Sequence, residues 1–530
     1  MTVYQAPESQ EHSQAWLVAR EKAKLRKSFF RGDLVLFTAC AIVALETLAF
    51  TASAGAEAFT WLVVTFLLFF IPYGLVMAEL GATFPVEGGP YEWARMSFGR
   101  LAGSVTAVLY WISNPIWMGG SLTAVAIAAT DSLILHRQMG KTAEIIFGLA
   151  FVWAVVGTAI IAVKYGKWVT NIGMVVKVVL TVAFLGLTIA FLASRGRPAG
   201  TAGAADLRPT ISGFLFLVGV LMFNWLGFEL STGASEEMVD PQKDIPKMIA
   251  RSGAMSAVIY GVFLVCILLV IPKAGLSSVA GFSDAYSHVA TVLGSAGPWV
   301  GKIIAVLVVA ALLVSGTAWI MGADRVQAVA ALDGAAPAWM GKFTSFGTPI
   351  AVNILSGLVG STMVIMVFTF TSGSLASFFA VMLPLAISTF ALSYLFIIPA
   401  LLILRRRYPD VPRPYRVPGG AAGAWISVVL IEAFTIITGI TLLWPGLIDA
   451  MLGQHYSIQS SFGVSRTFFE AVTLGTFGVV VVLSVVFWAI GSVDRRKGLT
   501  GEPDLVLGAA SAAAVSAIGP EPRPGTDPGD

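Results

Sequence analysis

Long apolar stretches recur along nearly the whole chain, and they constrain its fold more than any other feature. A helix needs about 20 apolar residues to cross the hydrocarbon core of a bilayer. The stretches that qualify lie at 34–55, 59–81, 103–130, 144–163, 170–194, 211–235, 249–271, 298–324, 349–370, 375–404, 424–446 and 467–491. Only 12% of the residues are charged, against roughly 25% in soluble domains. The sequence therefore predicts an all-α membrane protein with about twelve transmembrane helices, numbered here spans 1 to 12.

The placement of basic residues predicts how the spans are oriented. Lysine and arginine cluster at residues 20–31, 405–416 and 495–497, in the tails and in a loop that follows an even-numbered span. Because positive charges favour the cytoplasmic side, we expect a multi-pass protein of the cell membrane with both termini in the cytoplasm. The loop 272–297 is then external, where it could carry a short surface or re-entrant helix.

The spacing of the spans suggests an organisation into units. The expected units are a cytoplasmic tail at 1–32, a first repeat of spans 1 to 5 at 33–195, a second repeat of spans 6 to 10 at 211–405, spans 11 and 12 at 422–491, and a tail at 492–530. The last tail is rich in Gly, Ala, Pro and Asp, a composition typical of disorder.

Two spans contain polar groups that a lipid-facing helix would avoid. Span 1 carries Glu46 near its middle, and span 6 collects Asn, two Gly, Ser, Thr and Glu229 within residues 224–233. Glycine weakens a helix by about 1 kcal/mol, and freed backbone groups are tolerated in a membrane only beside a cavity or inside protein. Spans 1 and 6 are therefore predicted to be discontinuous, at corresponding positions of two repeats.

Several short motifs, in this order, resemble those of the amino acid–polyamine–organocation superfamily of permeases. They are AELG at 78–81, FPVEGGPYEW at 84–93, GFE at 227–229, EEMVDP at 236–241, DIP at 244–246, LDG at 332–334, GTP at 347–349 and RPYRVP at 413–418. The resemblance covers residues 31–415 and implies the LeuT-like five-plus-five inverted repeat, with spans 11 and 12 appended.

The resemblance also implies where a substrate binds. In that family the unwound middles of spans 1 and 6 hold the carboxylate and amine of the substrate, and helix N-termini present N–H groups to the anion. The similar stretch of span 1 is Ala41, Ile42 and Val43, where many members have a Gly-Ser-Gly-like triplet, and Glu46 follows one turn later. This departure favours an amine-rich substrate. Glu46 would bind the amine or take part in proton coupling, unless it is a protonated carboxyl bonded to a neighbouring helix.

Other candidate substrate-binding residues come from spans 3, 6 and 8. They are Asn114, Trp117, Phe223, Asn224, Trp225, Gly227 and Trp319. The aromatic members could gate the substrate or only pack, since aromatic stripes in membrane bundles are more often packing.

Two charged residues are candidates for proton coupling. Lys177 in span 5 could snorkel to the cytoplasmic face, but the resemblance aligns it with a lysine of proton-coupled members, at the place where sodium binds in sodium-coupled relatives. Glu229 matches a proton-sensing carboxylate of some members, or is a plain helix-terminus hydrogen bond. Ser315 and Thr317 in span 8 could ligate sodium, or act as the small packing residues common in such bundles.

The remaining charges are interpreted as structural. We expect Glu79, Glu92, Glu236, Glu237, Asp324, Arg325 and Asp333 at cytoplasmic ends or loops, paired or capping helices in water, and Glu432 in span 11 at a helix or subunit contact. The sequence has no pattern typical of a catalytic site, a metal site, a cofactor or a nucleic-acid interface.

These features together predict a proton-coupled permease for amino acids, polyamines or related amines, working by alternating access. An obligate exchanger of the same fold is the alternative. A membrane sensor or channel on this scaffold, or a membrane enzyme, is a further alternative from another class. The expected partners are a small amino acid or amine, protons and the lipid bilayer, and the sequence leaves the oligomeric state open.

Overall fold

The computed structural model describes residues 31–500, apart from 166, 202, 233–237, 239, 273–280, 346, 371–374, 454 and 460–462. Within that part of the chain, eleven helices are long and apolar enough to cross a membrane. The helix Ile350–Phe370, with 21 residues, occupies the position of the predicted ninth span. The predicted all-α fold of about twelve spans is confirmed. Most of the two predicted tails lies outside the described residues.

Every predicted span coincides with one helix or with a run of consecutive helices. Spans 1 to 6 are Arg31–Ile42 with Leu45–Thr47 and Leu48–Ser53, Glu57–Thr83, Arg100–Leu135, Lys141–Tyr165, Lys167–Arg195, and Ile211–Asn224 with Phe228–Thr232. Spans 7 to 12 are Pro241–Val270, Gly297–Leu332, Ile350–Phe370, Leu375–Ile397 with Ala400–Arg407, Gly420–Leu443, and Arg466–Arg496. Two connecting helices matter below: Gly89–Phe98 after span 2, and Gly281–Ala290 after span 7. The latter is the short helix expected in the loop 272–297.

Spans 1 and 6 are both interrupted, as predicted. Span 1 loses helical structure at residues 43 and 44, and span 6 at residues 225–227. The first half of span 1 packs against spans 5, 7 and 8, and the short second half of span 6 packs against spans 1, 2 and 8. The two interruptions therefore lie in the centre of the bundle.

Span 3 packs against several other spans near these interruptions. It contacts spans 8, 9, 10 and 12. Its approach to span 9 is so close that a Cβ added to Gly119 would lie 2.2 Å from the carbonyl oxygen of Gly360. Only glycine permits this crossing, which sets the position of the side chains that span 3 directs toward the centre.

Candidate functional site

The carbonyl groups freed by the interruption of span 1 are held by side chains from two other spans. Lys177 of span 5 donates from Nζ to the carbonyl oxygens of Cys40 at 2.6 Å and Val43 at 2.5 Å. Trp319 of span 8 donates from Nε1 to the carbonyl oxygen of Ala41 at 2.9 Å. Lys177 is only 1% exposed, so it does not snorkel to the membrane surface. Its amino group instead contacts backbone carbonyl oxygens at the break.

Tyr260 of span 7 completes the closure of this break. Its hydroxyl donates to the carbonyl oxygen of Ile42 at 2.5 Å and accepts from the N–H of Ala44 at 2.8 Å. One hydroxyl thus replaces the backbone hydrogen bonds that a continuous helix would make there. Tyr260 was not among the residues predicted from the sequence, although a tyrosine within an apolar span needs a partner for its hydroxyl.

The break in span 6 frees N–H groups, and a tyrosine accepts them. Gly227 has a φ of 128°, a conformation that side chains with a Cβ rarely adopt. The N–H groups of Gly227 and Phe228 each donate to the hydroxyl of Tyr73 of span 2 at 3.1 Å. That hydroxyl in turn donates to a carboxylate oxygen of Glu229.

Three tyrosines from three spans surround Glu229, and we call this group the tyrosine cage. Tyr110 of span 3 donates to the second carboxylate oxygen of Glu229 at 3.2 Å. The hydroxyl of Tyr394 of span 10 lies 3.3 Å from that of Tyr73. Glu229 is fully buried. The carboxylate was predicted from the sequence as a site residue, but none of the three tyrosines was.

Aromatic side chains pack together near the two breaks. The ring of Trp117 lies 5.7 Å from that of Phe223 and 6.2 Å from that of Trp319, each pair edge to face. Among the described residues, none accepts a hydrogen bond from the buried indole N–H of Trp117. A Cβ added to Gly227 would lie 3.2 Å from Ile42 and 3.4 Å from Trp319. These five predicted site residues are therefore brought together.

The other predicted residues of span 6 and span 3 have structural partners. Asn224 accepts a hydrogen bond from Thr47 and donates to Thr51 at 3.4 Å, which ties span 6 to span 1. Asn114 donates to the carbonyl oxygen of Tyr110, one turn earlier in its own helix, at 2.9 Å.

Trp225 turns away from the aromatic group around Trp117. Its indole N–H donates to Thr65 of span 2 at 3.0 Å, and its ring packs at 4.6 Å from that of Phe70 and 5.3 Å from that of Tyr260. The structure therefore places Trp225 in packing between spans 2, 6 and 7.

Glu46 lies beside a separate small cavity of about 10 Å³, room for on the order of one water molecule. Lys177 and Ser315 line the same cavity. Ser315 and Thr317 each bond a carbonyl oxygen four residues back in their own helix, at 2.9 Å. No described residue hydrogen-bonds either carboxylate oxygen of Glu46.

Several charges expected to meet water are instead buried. Glu79, Glu92, Asp324, Arg325 and Asp333 are each 5% exposed or less, while Glu236 and Glu237 lie outside the described residues. The expectation was wrong because the ends of spans 2, 8 and 10 and the helix Gly89–Phe98 pack together and enclose these groups. Burial of a charge requires partners, and basic residues provide most of them.

The buried charges form links between helix ends. Glu79 bonds Arg405 at 2.7 Å and the N–H of Val417 at 2.7 Å, which fixes the end of span 2 to the end of span 10 and to the segment before span 11. Asp333 pairs with Arg100 at 3.0 Å and accepts from Tyr91. Burial, and then the negative charge of Asp333, raises the pKa of the Tyr91 phenol.

Asp324 is enclosed within the scaffold, in the last third of span 8. It accepts a hydrogen bond from Ser356 of span 9 at 2.8 Å, and Trp111 of span 3 donates to the same hydroxyl at 2.8 Å. The three spans are thereby tied together away from the two breaks.

Comparisons with known proteins agree with this architecture. The amino acid permease family matches residues 32–453. The probable agmatine/putrescine antiporter AguD of Lactococcus lactis subsp. lactis is 30% identical over 406 residues, which are 75% of this chain and 84% of that protein. The glutamate/gamma-aminobutyrate antiporter of the same organism is 23% identical over 390 residues, which are 71% of this chain and 74% of that protein.

A solved structure extends the comparison to the fold. The manganese transporter of Eremococcus coleocola has a TM-score of 0.56 at 13% identity, covering 94% of this chain and 98% of that one. At this identity the likeness shows the fold alone, and it confirms the predicted LeuT-like inverted repeat. The chain belongs to the amino acid permease family within the amino acid–polyamine–organocation superfamily. It is a multi-pass membrane transporter of amino acids or amines and not an enzyme.

Proposed function

We propose that this member of the amino acid permease family couples the movement of a small amine or amino acid to a proton through Lys177, by alternating access. The observation that carries the proposal is the position of the Lys177 ammonium, 2.6 Å and 2.5 Å from the carbonyl oxygens of Cys40 and Val43. Hydrogen bonds from a charged donor are about twice as strong as neutral ones. Loss of the proton would weaken the hold of span 5 on the break in span 1.

The contacts around the breaks suggest which parts move. Asn224 joins span 6 to Thr47 and Thr51 of span 1, so spans 1 and 6 would move as one unit. Lys177 and Trp319 reach that unit from spans 5 and 8. These two side chains lie at the boundary between the rocking unit and a scaffold built from spans 3 to 5 and 8 to 10. A change in the charge of Lys177 would therefore bias the position of the rocking unit.

The chemistry between the breaks favours a cationic amine. The N–H groups of Ala44, Gly227 and Phe228 already donate to tyrosine hydroxyls, so they are not presented to a substrate carboxylate. Trp117 and Trp319 offer aromatic rings, which attract a cation by about 0.5–2 kcal/mol. Agmatine and putrescine, named for one relative, are amines without a carboxylate, and we propose this class as the substrate.

Binding and uptake test the proposal directly. The purified full-length chain is heated with agmatine, putrescine, glutamate or gamma-aminobutyrate, since a ligand at about 100 times its dissociation constant adds about 2.7 kcal/mol to stability. Agmatine or putrescine should give the largest shift. In proteoliposomes, uptake of the same amine should rise when a pH gradient is imposed. Stabilisation by glutamate alone would overturn the proposed substrate class. Uptake that does not change when the pH gradient is imposed would overturn the proposed proton coupling.

An obligate exchanger is the second candidate, favoured by the antiporter names of two relatives. An exchanger takes up labelled substrate only when the vesicles contain a counter-substrate. Uptake of labelled agmatine into putrescine-loaded vesicles without a pH gradient, and none into empty vesicles with one, would establish exchange in place of proton-driven uptake.

A further inference from the structure

The cavity beside Glu46 is enclosed by several helices of the bundle. Its walls come from spans 1, 3, 5 and 8 and from the helix Gly281–Ala290. The lining residues that matter here are Glu46, Val125, Lys177, Leu180, Phe282 and Ser315. Apolar side chains make up the rest of the wall, so both titratable groups border the same low-dielectric space.

Glu46 has no described partner that explains its burial. It is 2% exposed, and neither carboxylate oxygen accepts a hydrogen bond from a described residue. Burying an unpaired carboxylate is very costly, so such a group takes up a proton or binds a partner. Lys177 is the nearby cation whose charge acts on Glu46, and about 10 Å³ of free volume lies in the cavity that they share. That volume suits one bridging water.

We propose that Glu46 and Lys177 exchange one proton through a water molecule held in this cavity, which makes Glu46 the proton partner of Lys177. This inference rests on the proposed function, because it assigns a route to the proton that Lys177 binds. Of the two roles that the sequence left open for Glu46, it favours proton coupling over binding of the substrate amine.

The exchange conserves atoms and charge. One N–H bond of the Lys177 ammonium breaks, and its proton passes to the water. The water releases one of its protons to an oxygen of Glu46, where an O–H bond forms. The ammonium and carboxylate become an amine and a carboxylic acid, and the pair keeps a net charge of zero.

The exchange has a consequence for span 1. An uncharged amine donates weaker hydrogen bonds than an ammonium, so Cys40 and Val43 are held less firmly after the transfer. Both groups are then neutral, which removes the cost of two separated charges in a dry site. When Glu46 carries the proton, the hydrogen bonds from Lys177 to the break in span 1 are therefore weaker.

The neighbouring titratable groups already use their protons in other contacts. The hydroxyl of Tyr260 donates to Ile42, and that of Tyr286 in the helix Gly281–Ala290 donates to the carbonyl oxygen of Leu180. Cys40 is a buried free thiol beside Lys177. A thiol is a weak donor and a weak acceptor, so Glu46 is the stronger acceptor at the cavity.

Infrared difference spectroscopy of the full chain in lipid vesicles tests the exchange without any substrate. The carboxylic acid C=O band of Glu46 is the one lost in Glu46→Gln. In the wild type we expect this band to be present and to stay constant across about pH 5 to 8, because a transfer inside the pair neither takes up nor releases a proton. In Lys177→Ala the band should instead grow as the pH falls, because Glu46 can then take its proton only from bulk water. Glu432→Gln, which changes a half-buried carboxyl in span 11, should leave the Glu46 band unchanged.

Ser315→Val provides a second variant if Lys177→Ala does not fold. It fills the water space, keeps both titratable groups, and removes only a hydrogen bond within span 8. We expect the pH dependence of the Glu46 band to shift toward that of Lys177→Ala. An unchanged pH dependence in both Lys177→Ala and Ser315→Val would overturn the proposal, as would the absence of a Glu46 acid band at any pH. A Lys177-dependent band in a protein whose agmatine uptake ignores the pH gradient would support the exchange and refute the proposed coupling.

Discussion

At the break in span 1, side chains donate hydrogen bonds to backbone carbonyl groups, whereas at the break in span 6 backbone N–H groups donate to a side-chain oxygen. Lys177, Trp319 and Tyr260 are the donors at the first break. Tyr73 is the acceptor at the second break, and its hydroxyl donates a hydrogen bond to Glu229. The two breaks, which correspond in the repeat, are thus closed mainly by groups of opposite polarity; the exception is the N–H of Ala44 in span 1, which donates to Tyr260.

This difference assigns the two breaks different sensitivities. At span 1 a cation stabilises the break, because carbonyl oxygens point toward it. At span 6 a carboxylate stabilises the break through Tyr73, because that hydroxyl accepts from two N–H groups. Among the described contacts, a cationic side chain holds the first break and none holds the second. Changes at span 1 should therefore act on proton coupling, and changes at span 6 should act first on stability.

Lys177→Ala should have the largest effect. It removes the charged donor from two buried carbonyl groups, and we expect gradient-driven uptake of the substrate to fall to background while detergent-purified protein stays monodisperse. The measurement is uptake into proteoliposomes with and without an imposed pH gradient. Asn171→Ala serves as a control in the same span, because Asn171 bonds Asp33 outside the break. Wild-type accumulation by Lys177→Ala would remove the lysine from the mechanism.

Tyr73→Phe should have the largest effect on stability at span 6. It removes the hydrogen bonds of three groups at once: the N–H of Gly227, the N–H of Phe228 and one oxygen of Glu229. An unsatisfied buried group costs about 1–3 kcal/mol, so the melting temperature should fall well below that of the wild type. Tyr394→Phe is the matched control, since it changes a tyrosine of the same cage that does not bond the backbone in the described contacts. Equal losses for the two variants would show that the backbone contacts of Tyr73 contribute little.

The sequence could predict the breaks but not the groups that close them. Gly227 and Glu229 interrupt an apolar run, and that local contrast is visible in one sequence. Tyr73 and Tyr260 reach the breaks from residues 154 and 216 positions away, and pairings at that distance depend on how the helices pack. The side of span 1 on which Glu46 lies could not be predicted for a related reason. A break of two residues rotates the following half-helix, so the periodicity of span 1 does not fix which side Glu46 faces.

Tyr260→Phe should have a smaller effect than Tyr73→Phe, because it removes partners from two backbone groups, the carbonyl of Ile42 and the N–H of Ala44. We expect a fall in melting temperature between that of Tyr73→Phe and the wild type. Because this break also holds Lys177, the pH dependence of uptake should change as well. A stability loss greater than that of Tyr73→Phe would contradict the assignment of stability mainly to span 6.

Thr65→Val should have the smallest effect, because it removes one acceptor. The variant keeps the shape of the side chain, but it leaves the indole N–H of Trp225 without the hydroxyl that accepts it at 3.0 Å. The hydroxyl of Thr65 also donates within span 2, to the carbonyl oxygen of Trp61 at 2.8 Å, and a helix carbonyl with its usual backbone partner loses little. One orphaned N–H costs about 1–3 kcal/mol, less than two or three. We expect Thr65→Val to have the highest melting temperature of the three variants, Tyr260→Phe the next and Tyr73→Phe the lowest. Any other order would show that the number of orphaned groups does not determine stability. The packing of Trp225 against Phe70 and Tyr260 would then be the main contribution of this residue to the break in span 6.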